Sequence, residues 1–303
     1  MKDTRAIPVI FNPTAGGGRA RRRRADLEKI ARQHEIPLDW RATRAAGHAV
    51  ELASTAADEG HPLLFAFGGD GTYNEVARGL LGRGTSMGIL PAGTTSVLAY
   101  EFAIPRPVGA AMSALLHGED RQMHVGRTEK DEIFLIMLSA GPDSMTLQRL
   151  LPSFKKLGGR VGVALQGLLE LLRPGRMPFF PLHTGEEKLL SGWTIIGKSK
   201  CYAGPFEGTP GADPFSRNLE AVVQTRSGRR AALSFILGLA RGRHVKRQDV
   251  RRFRSTEFRI DAPSSGPSLH YQVDGDLGGL LPVRISLHPD TLRIRLPAGY
   301  RDH

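Results

Sequence analysis

The sequence predicts two domains of different class: a layered α/β domain with a parallel sheet over roughly the first 120 residues, and a mostly β domain after it. Three observations carry this. Up to Phe102, short apolar runs alternate with segments of helical period, as in successive βαβ units. Three of those runs end in a glycine-containing turn. From about residue 125, strand-like runs separated by turns take over. A length of 303 residues, about twice the usual single domain, has room for both.

In chain order, Ile7, Val9, Ile10 and Phe11 read as a strand ending at Asn12-Pro13, followed by a helix with Leu27, Ile30, Ala31 and His34 on one face. Leu63 to Phe67 is a second strand, running into Gly68-Gly69-Asp70-Gly71-Thr72 and a helix marked by Tyr73, Val76, Ala77 and Leu80. Met87 to Leu90 is a third, turned by Pro91-Ala92-Gly93-Thr94 into a helix through Leu98 and Phe102. The rhythm loosens near Ile104-Pro105-Arg106-Pro107. Beyond it, Ile133 to Leu138, Trp193 to Ile196, Leu219 to Val223, Glu257 to Ile260, Leu269 to Val273 and Val283 to Leu287 read as strands. Two apolar helical segments, Val161 to Leu172 and Ala231 to Ala240, interrupt them.

Composition narrows the function classes. Hydrophobic residues at 40% and charged residues at 24% are too apolar a mixture for a disordered chain. Lys and Arg number 42 against 30 Asp and Glu, and the resulting +12 favours anionic partners: nucleic acid, phosphorylated small molecules or an acidic membrane surface. The single cysteine, Cys201, excludes an intrachain disulfide and a multi-cysteine metal site, and reads as a plain buried thiol. No window reaches the roughly 18 unbroken apolar residues of a spanning helix, and the amino terminus lacks a leader pattern, so the expectation is a cytosolic protein without its own membrane anchor.

The sharpest motif is FAFGGDGTYNEV, an apolar strand, a turn with three glycines around one carboxylate, and a helix. Glycines permit positive φ and close backbone approach, so peptide N–H groups at a helix start can face a phosphate. Asp70 would then serve a divalent metal or accept a hydroxyl proton; the competing reading is a tight turn with Asp70 as a helix cap. Asn12-Pro13-Thr14-Ala15-Gly16-Gly17-Gly18 and Pro91-Ala92-Gly93-Thr94-Thr95 also follow strands. In a parallel array all three turns fall on one edge, where ligands bind. Together they make a nucleotide-phosphate site the better reading.

The stretches VIFNPTAGGG, TRAAGHAVELA, FAFGGDGTYNEVARGLL, GILPAGTTSVLAYEFAIP and YQVDGDLGGLLPVRISLHPDTLRIRLP resemble the diacylglycerol kinase catalytic family of bacterial lipid kinases, which also embraces sphingosine and ceramide kinases. The glycine-aspartate-glycine-threonine core is shared with NAD kinases; the LPAGT turn and the VDGD segment mark the lipid branch. The resemblance implies a Rossmann-like nucleotide-binding α/β domain over 1–122, rejoined by a last strand in about 289–303, and a β-sandwich-like lipid-substrate domain over 123–288, with catalysis in the cleft between them.

It further implies that ATP is held by Asn12, Pro13, Thr14, Ala15, Gly16, Thr43, Gly68, Gly69, Asp70, Gly71, Thr72, Tyr73, Asn74 and Thr94, with Mg²⁺ as cofactor. Asp276 matches the family's proton acceptor for the lipid hydroxyl, with Asp70 the second candidate, and Asp143 falls where the family carries an acid linked to the metal network. The expected partners are a lipid substrate and transiently an anionic membrane surface at the inner face, with no specific nucleic acid; the oligomeric state stays open. Three departures bear on activity. Ser96-Val97 stands where Asn, often followed by Asp, is usual; Asp276 replaces a usual Glu; and PFSRNLEAVV stands where many members have an Asp-Gly pair in a metal-binding loop, which makes a second, structural Mg²⁺ doubtful.

Other signals are discounted. Gly192 to Ser199 matches a phosphate-loop pattern, but its interior is itself the strand and Cys201-Tyr202-Ala203-Gly204-Pro205 cannot begin a helix. The run of Arg19 and Arg21 to Arg24 reads either as a solvated face or as side chains drawn to ATP phosphates or lipid headgroups. Val161 to Leu172, flanked by Lys155, Lys156, Arg160 and Arg173, reads either as core or as a lipid-entry lip. The alternatives kept beside a lipid kinase are an NAD kinase, a weakly active or inactive homologue, and a basic nucleic-acid-binding protein. The last lacks interleaved aromatics, at 7%, and a recognition module.

Overall fold

The computed structural model describes residues 5–301 except 94, 150–176, 178, 186 and 267. Thr94 and the Val161 to Leu172 segment therefore lie outside the described residues. The chain forms two compact units, Met1–His124 with Pro289–His303, and Val125–His288.

The first unit contains β1 (Ile7–Phe11), α1 (Ala15–Gln33), β2 (Leu38–Ala42), α2 (His48–Asp58), β3 (Leu63–Gly68), α3 (Asp70–Leu80), β4 (Ser86–Pro91), α4 (Val97–Glu101) and α5 (Val108–Leu116). Strands β2, β1, β3 and β4 lie side by side in that order, all parallel. Every residue of β3 and β4 is buried, which is why they read as unbroken apolar runs: a parallel sheet is covered on both faces. β2, LDWRA, is mostly half-buried and carries no such run, so the sequence did not announce it. α2 presents Ala49, Ala53 and Ala56 inward, and α3 answers with Gly79, where an added Cβ would sit 2.5 Å from the Val50 carbonyl oxygen.

The second unit follows β5 (Glu119–Thr128) with β6 (Ile133–Phe134), β7 (Met137–Ala140), α6 (Pro142–Gln148), β8 (Phe180–His183), β9 (Lys188–Ser191), β10 (Trp193–Gly197), β11 (Cys201–Ala203), β12 (Phe206–Glu207), β13 (Leu219–Gln224), α7 (Arg229–Ala240), β14 (Val250–Ser255), β15 (Glu257–Ile260), β16 (His270–Val273) and β17 (Asp276–Leu280). The last strand, β18 (Val283–Leu296), begins here beside β15 and ends in the first unit, parallel to β4. One antiparallel sheet runs β14-β13-β10-β7-β16-β17, and β18, β15, β8 and β9 are the antiparallel stretch of a ten-stranded sheet whose main order is β2-β1-β3-β4-β18-β15-β8-β9. Phe134, Ile196, Leu219, Val223 and Tyr271 meet Phe180, Leu182, Phe258, Ile260 and Ile285 in one buried cluster, the core of a sandwich.

Two sequence expectations are corrected. Ile133 to Leu138 is not one strand: the Asp274 carboxylate accepts hydrogen bonds from the Leu135, Ile136 and Met137 amides at 2.9, 2.9 and 3.0 Å, diverting them from any sheet ladder. Cys201 is half-buried at the start of β11 rather than in the core.

Candidate active site

The three turns singled out in the sequence converge on one edge of the first unit's sheet. Phe11 is level with Phe67, and Gly68 with Pro91, so β1, β3 and β4 end together. The Asn12 amide donates to the Phe67 carbonyl at 3.2 Å, and the Ala92 and Gly93 amides both donate to the Gly68 carbonyl at 2.8 Å. A Cβ on Gly93 would lie 2.7 Å from the Gly69 Cα, so these turns pack backbone to backbone and tolerate no side chain there. Gly16, at φ +60°, abuts the Ala92 carbonyl oxygen in the same way.

The Asn12 side chain folds the first turn by accepting from the Thr14 amide at 3.0 Å and the Thr14 hydroxyl at 2.7 Å, with Pro13 between them. The Ala15 amide donates to the Asn12 carbonyl at 3.1 Å. Thr43, beyond β2, donates its amide to the Phe11 carbonyl at 2.9 Å and so joins the same edge. Gly71 is exposed and Asn74 half-buried, whereas Thr72 is buried under Gly68. Tyr73 is fully buried; its hydroxyl donates to the Gly68 carbonyl at 2.8 Å and lies 3.5 Å from the Ser96 Oγ. That hydroxyl ties the second turn to the third and is not available to a ligand.

Asp70 opens α3, yet its Oδ1 accepts from the Leu98 amide of α4 at 3.4 Å. The helix it caps is therefore α4, not its own. Burial raises the Asp70 carboxyl above the ordinary aspartate value, opposed by the Val97 and Leu98 amides and by Arg106. Sequence reasoning missed Arg106, whose guanidinium donates to the Thr95 carbonyl at 2.9 Å and lies 5.0 Å from the Tyr100 ring centroid. Its signal was a lone cation held between two prolines just past the third turn. Ser96 sits buried at φ +44°, a left-handed conformation that Asn adopts more readily than Ser. Of the arginine run, Arg19 donates to the Gly16 carbonyl at 2.9 Å and Arg23 reaches the Pro91 carbonyl at 3.5 Å, while Arg24 pairs with Glu28 at 2.8 Å. Arg21 and Arg22 are exposed.

In the second unit, Asp276 is the exposed first residue of β17. It follows a two-residue turn, Asp274-Gly275, with φ +50° and +94°, the hairpin geometry that favours Asp-Gly. The VDGD segment thus divides its labour: Asp274 ties the hairpin down through three amides, and Asp276 projects at its start. Asp143, in the first turn of α6, accepts from the Tyr202 hydroxyl at 2.6 Å and the Gln272 amide group at 3.1 Å on one oxygen, and from the Ser144 amide at 2.8 Å on the other. Gln272 in turn accepts from the Gly275 amide at 2.8 Å, so this network reaches the hairpin that carries Asp276. Burial, reinforced by the Asp143 charge, raises the Tyr202 hydroxyl well above its ordinary value and keeps it a donor.

Among the described residues, no group of three or more His, Cys, Asp or Glu is placed to hold a metal ion. Mg²⁺ at Asp143 or Asp70 would draw its remaining ligands from substrate phosphates and water, its usual habit in kinases. The loop in which the sequence left a second Mg²⁺ doubtful is occupied differently. Lys198, fully buried, donates from Nζ to the carbonyls of Asp213, Ser216 and Asn218 at 2.6, 2.5 and 3.0 Å. Burial lowers this ammonium to about 8, with Asp213 pulling upward, so it stays charged at neutral pH. These carbonyls are served by a tethered cation, and the loop does not fit a structural Mg²⁺.

Residues 6–128 match the diacylglycerol kinase catalytic domain, and residues 163–296 match the YegS C-terminal NAD kinase beta sandwich-like domain. A diacylglycerol kinase of Mycobacterium tuberculosis is 24% identical over 298 residues, covering 96% of this chain and 95% of that protein. One of Staphylococcus aureus is 27% identical over 283 residues, covering 91% and 87%. The crystal structure of a diacylglycerol kinase from Bacillus anthracis superposes with a TM-score of 0.78 at 15% identity, covering 98% of this chain and 99% of that one, so the fold is shared. With both domains matched in order, and the three glycine-containing turns assembled on one sheet edge, the chain belongs to the diacylglycerol kinase catalytic family.

Proposed function

We propose that the protein is an ATP-dependent lipid kinase that phosphorylates a hydroxyl of diacylglycerol or a similar lipid. The observation that carries this reading is the convergence of the Asn12 to Gly18, Gly68 to Thr72 and Pro91 to Ser96 turns beside Asp70. Their glycine-lined backbone lets a triphosphate approach the start of α3 closely, and phosphoryl transfer depends chiefly on such positioning and on charge neutralisation. Arg106, and Arg19 and Arg23 above the first turn, supply positive charge there. Mg²⁺, when bound with the nucleotide, neutralises charge on the transferring phosphoryl group.

Asp276 accepts the proton of the lipid hydroxyl in this reading. Its family position, its exposure and the Gln272 link from Asp143 to its hairpin support that role. Asp70 is the second candidate, since burial moves its carboxyl toward the range of a working base. Among the described residues no helix is long and apolar enough to cross a membrane, and lipid would be met by transient contact at the inner face.

The test is incubation of the pure protein with labelled ATP, Mg²⁺ and a panel of lipids in mixed micelles, beside Asp70→Asn and Asp276→Asn. Loss of a proton acceptor should cost on the order of 10²–10⁴ in rate. Label on NAD and on no lipid would replace this reading with an NAD kinase.

A further inference from the structure

The helix α7, Arg229–Ala240, carries an outward stripe that is exposed to solvent. Ala232, Phe235 and Leu239 are buried, as an inward face at helical spacing should be. The opposite positions are Arg230, Leu233, Leu237 and Arg241, all exposed, with Leu233 46% and Leu237 45% accessible. Two leucines in water, bracketed by two arginines one turn beyond each, form a short amphipathic stripe. Around it, residues 226–248 hold Arg226, Arg229, Arg230, Arg241, Arg243, Lys246 and Arg247, and no Asp or Glu.

A second feature adjoins this stripe. Thr225, Arg226, Lys246, Arg247, Gln248 and Asp249 line an open cavity of about 700 Å³. Arg247 joins the two: its guanidinium pairs with Asp249 at 2.8 Å and also donates to the Ser234 hydroxyl on α7. Asp249 is thereby neutralised, and Arg226 and Lys246 give the cavity a net positive lining.

We infer that α7 and this cavity are a docking surface for an anionic lipid bilayer, with Leu233 and Leu237 entering the headgroup–acyl boundary and the cavity receiving a headgroup phosphate. Apolar area plus attraction to acidic headgroups is what holds an interfacial helix, and neither suffices alone at this size. A nucleic acid would use the cations but not the leucines. The segment's two aromatic rings, Phe235 and His244, pack on each other and are buried, so neither can stack on bases. The inference gives the proposed lipid kinase its membrane-facing surface and in that sense rests on that reading, but its test does not depend on turnover.

The full chain is sedimented with vesicles of phosphatidylcholine containing 30 mol% phosphatidylglycerol, and with phosphatidylcholine alone. Binding to the anionic vesicles only is expected. Leu233→Ser with Leu237→Ser should weaken it about 25-fold, about five-fold per half-exposed leucine. Arg230→Ser with Arg241→Ser should do the same, at about five-fold per charge. Leu233→Trp should shift its tryptophan emission to the blue on anionic vesicles. Equal binding to both vesicles, unchanged binding by the leucine pair, or no emission shift overturns the inference. Binding to duplex DNA but not to vesicles overturns it in favour of a nucleic-acid surface. A short-chain diacylglycerol below its aggregation concentration separates the two readings. The leucine pair should phosphorylate it at the parental rate; vesicle binding with no lipid phosphorylated at all would leave this surface standing and remove the kinase reading.

Discussion

Replacing Lys198 with Met tests whether a tethered ammonium holds the 213–218 loop. Methionine keeps much of the volume and removes the nitrogen, so the Asp213, Ser216 and Asn218 carbonyls, now 2.5 to 3.0 Å from Nζ, lose their charged donor. Hydrogen bonds to a charged donor contribute about 1.5–3 kcal/mol each; since the Asp213 carbonyl keeps the Ser216 amide and hydroxyl, the loss of all three comes to about 4 kcal/mol. Because Lys198 is fully buried, little of this is recovered from solvent. For a domain of this size, about 4 kcal/mol corresponds to a fall in melting temperature of roughly 8–16 °C. The assay is thermal unfolding followed by circular dichroism, with and without Mg²⁺ and with a chelator. The parent should be indifferent to chelator, since its cation is covalently attached, and Mg²⁺ should not rescue Lys198→Met. A variant melting within 2 °C of the parent, or a parent destabilised by chelator, would refute the reasoning.

Three further outcomes follow from the site. Asp70→Asn should stabilise the protein at neutral pH while removing activity. A folded carboxyl whose pKa is raised by burial favours folding fully below the unfolded value of 3.8 and loses that contribution as pH rises through the folded one. The stabilisation should therefore vanish in acid, as unfolding curves at pH 7 and below pH 4 would reveal. Gly93→Ala would press a Cβ against the Gly69 Cα, so nucleotide affinity measured by calorimetry should fall at least tenfold. Asp274→Ala strands three amides and removes the clamp on the Asp276 hairpin; a loss of about 3 kcal/mol in urea unfolding is expected, with turnover reduced beyond what stability explains.

The amino-acid sequence by itself determined the strand–turn–helix units of the first unit. A fully buried parallel strand must be apolar throughout, and a turn that lies against another backbone must be glycine. Leu63 to Phe67 met the first demand and Gly16 and Gly93 the second, which made that site legible. It also displayed the VDGD segment, which the structure folds as a hairpin. It did not show which aspartate of that hairpin anchors it, because both are aspartates in a turn; only three amides from residues 135–137, about 140 positions away, made Asp274 structural. Nor could local pattern show that Asp70 caps α4, that Arg106 acts on Asp70, or that Lys198 fills a ring of carbonyls. Those pairings join residues with no periodic relation, and hydrogen-bond geometry in the folded chain decided them.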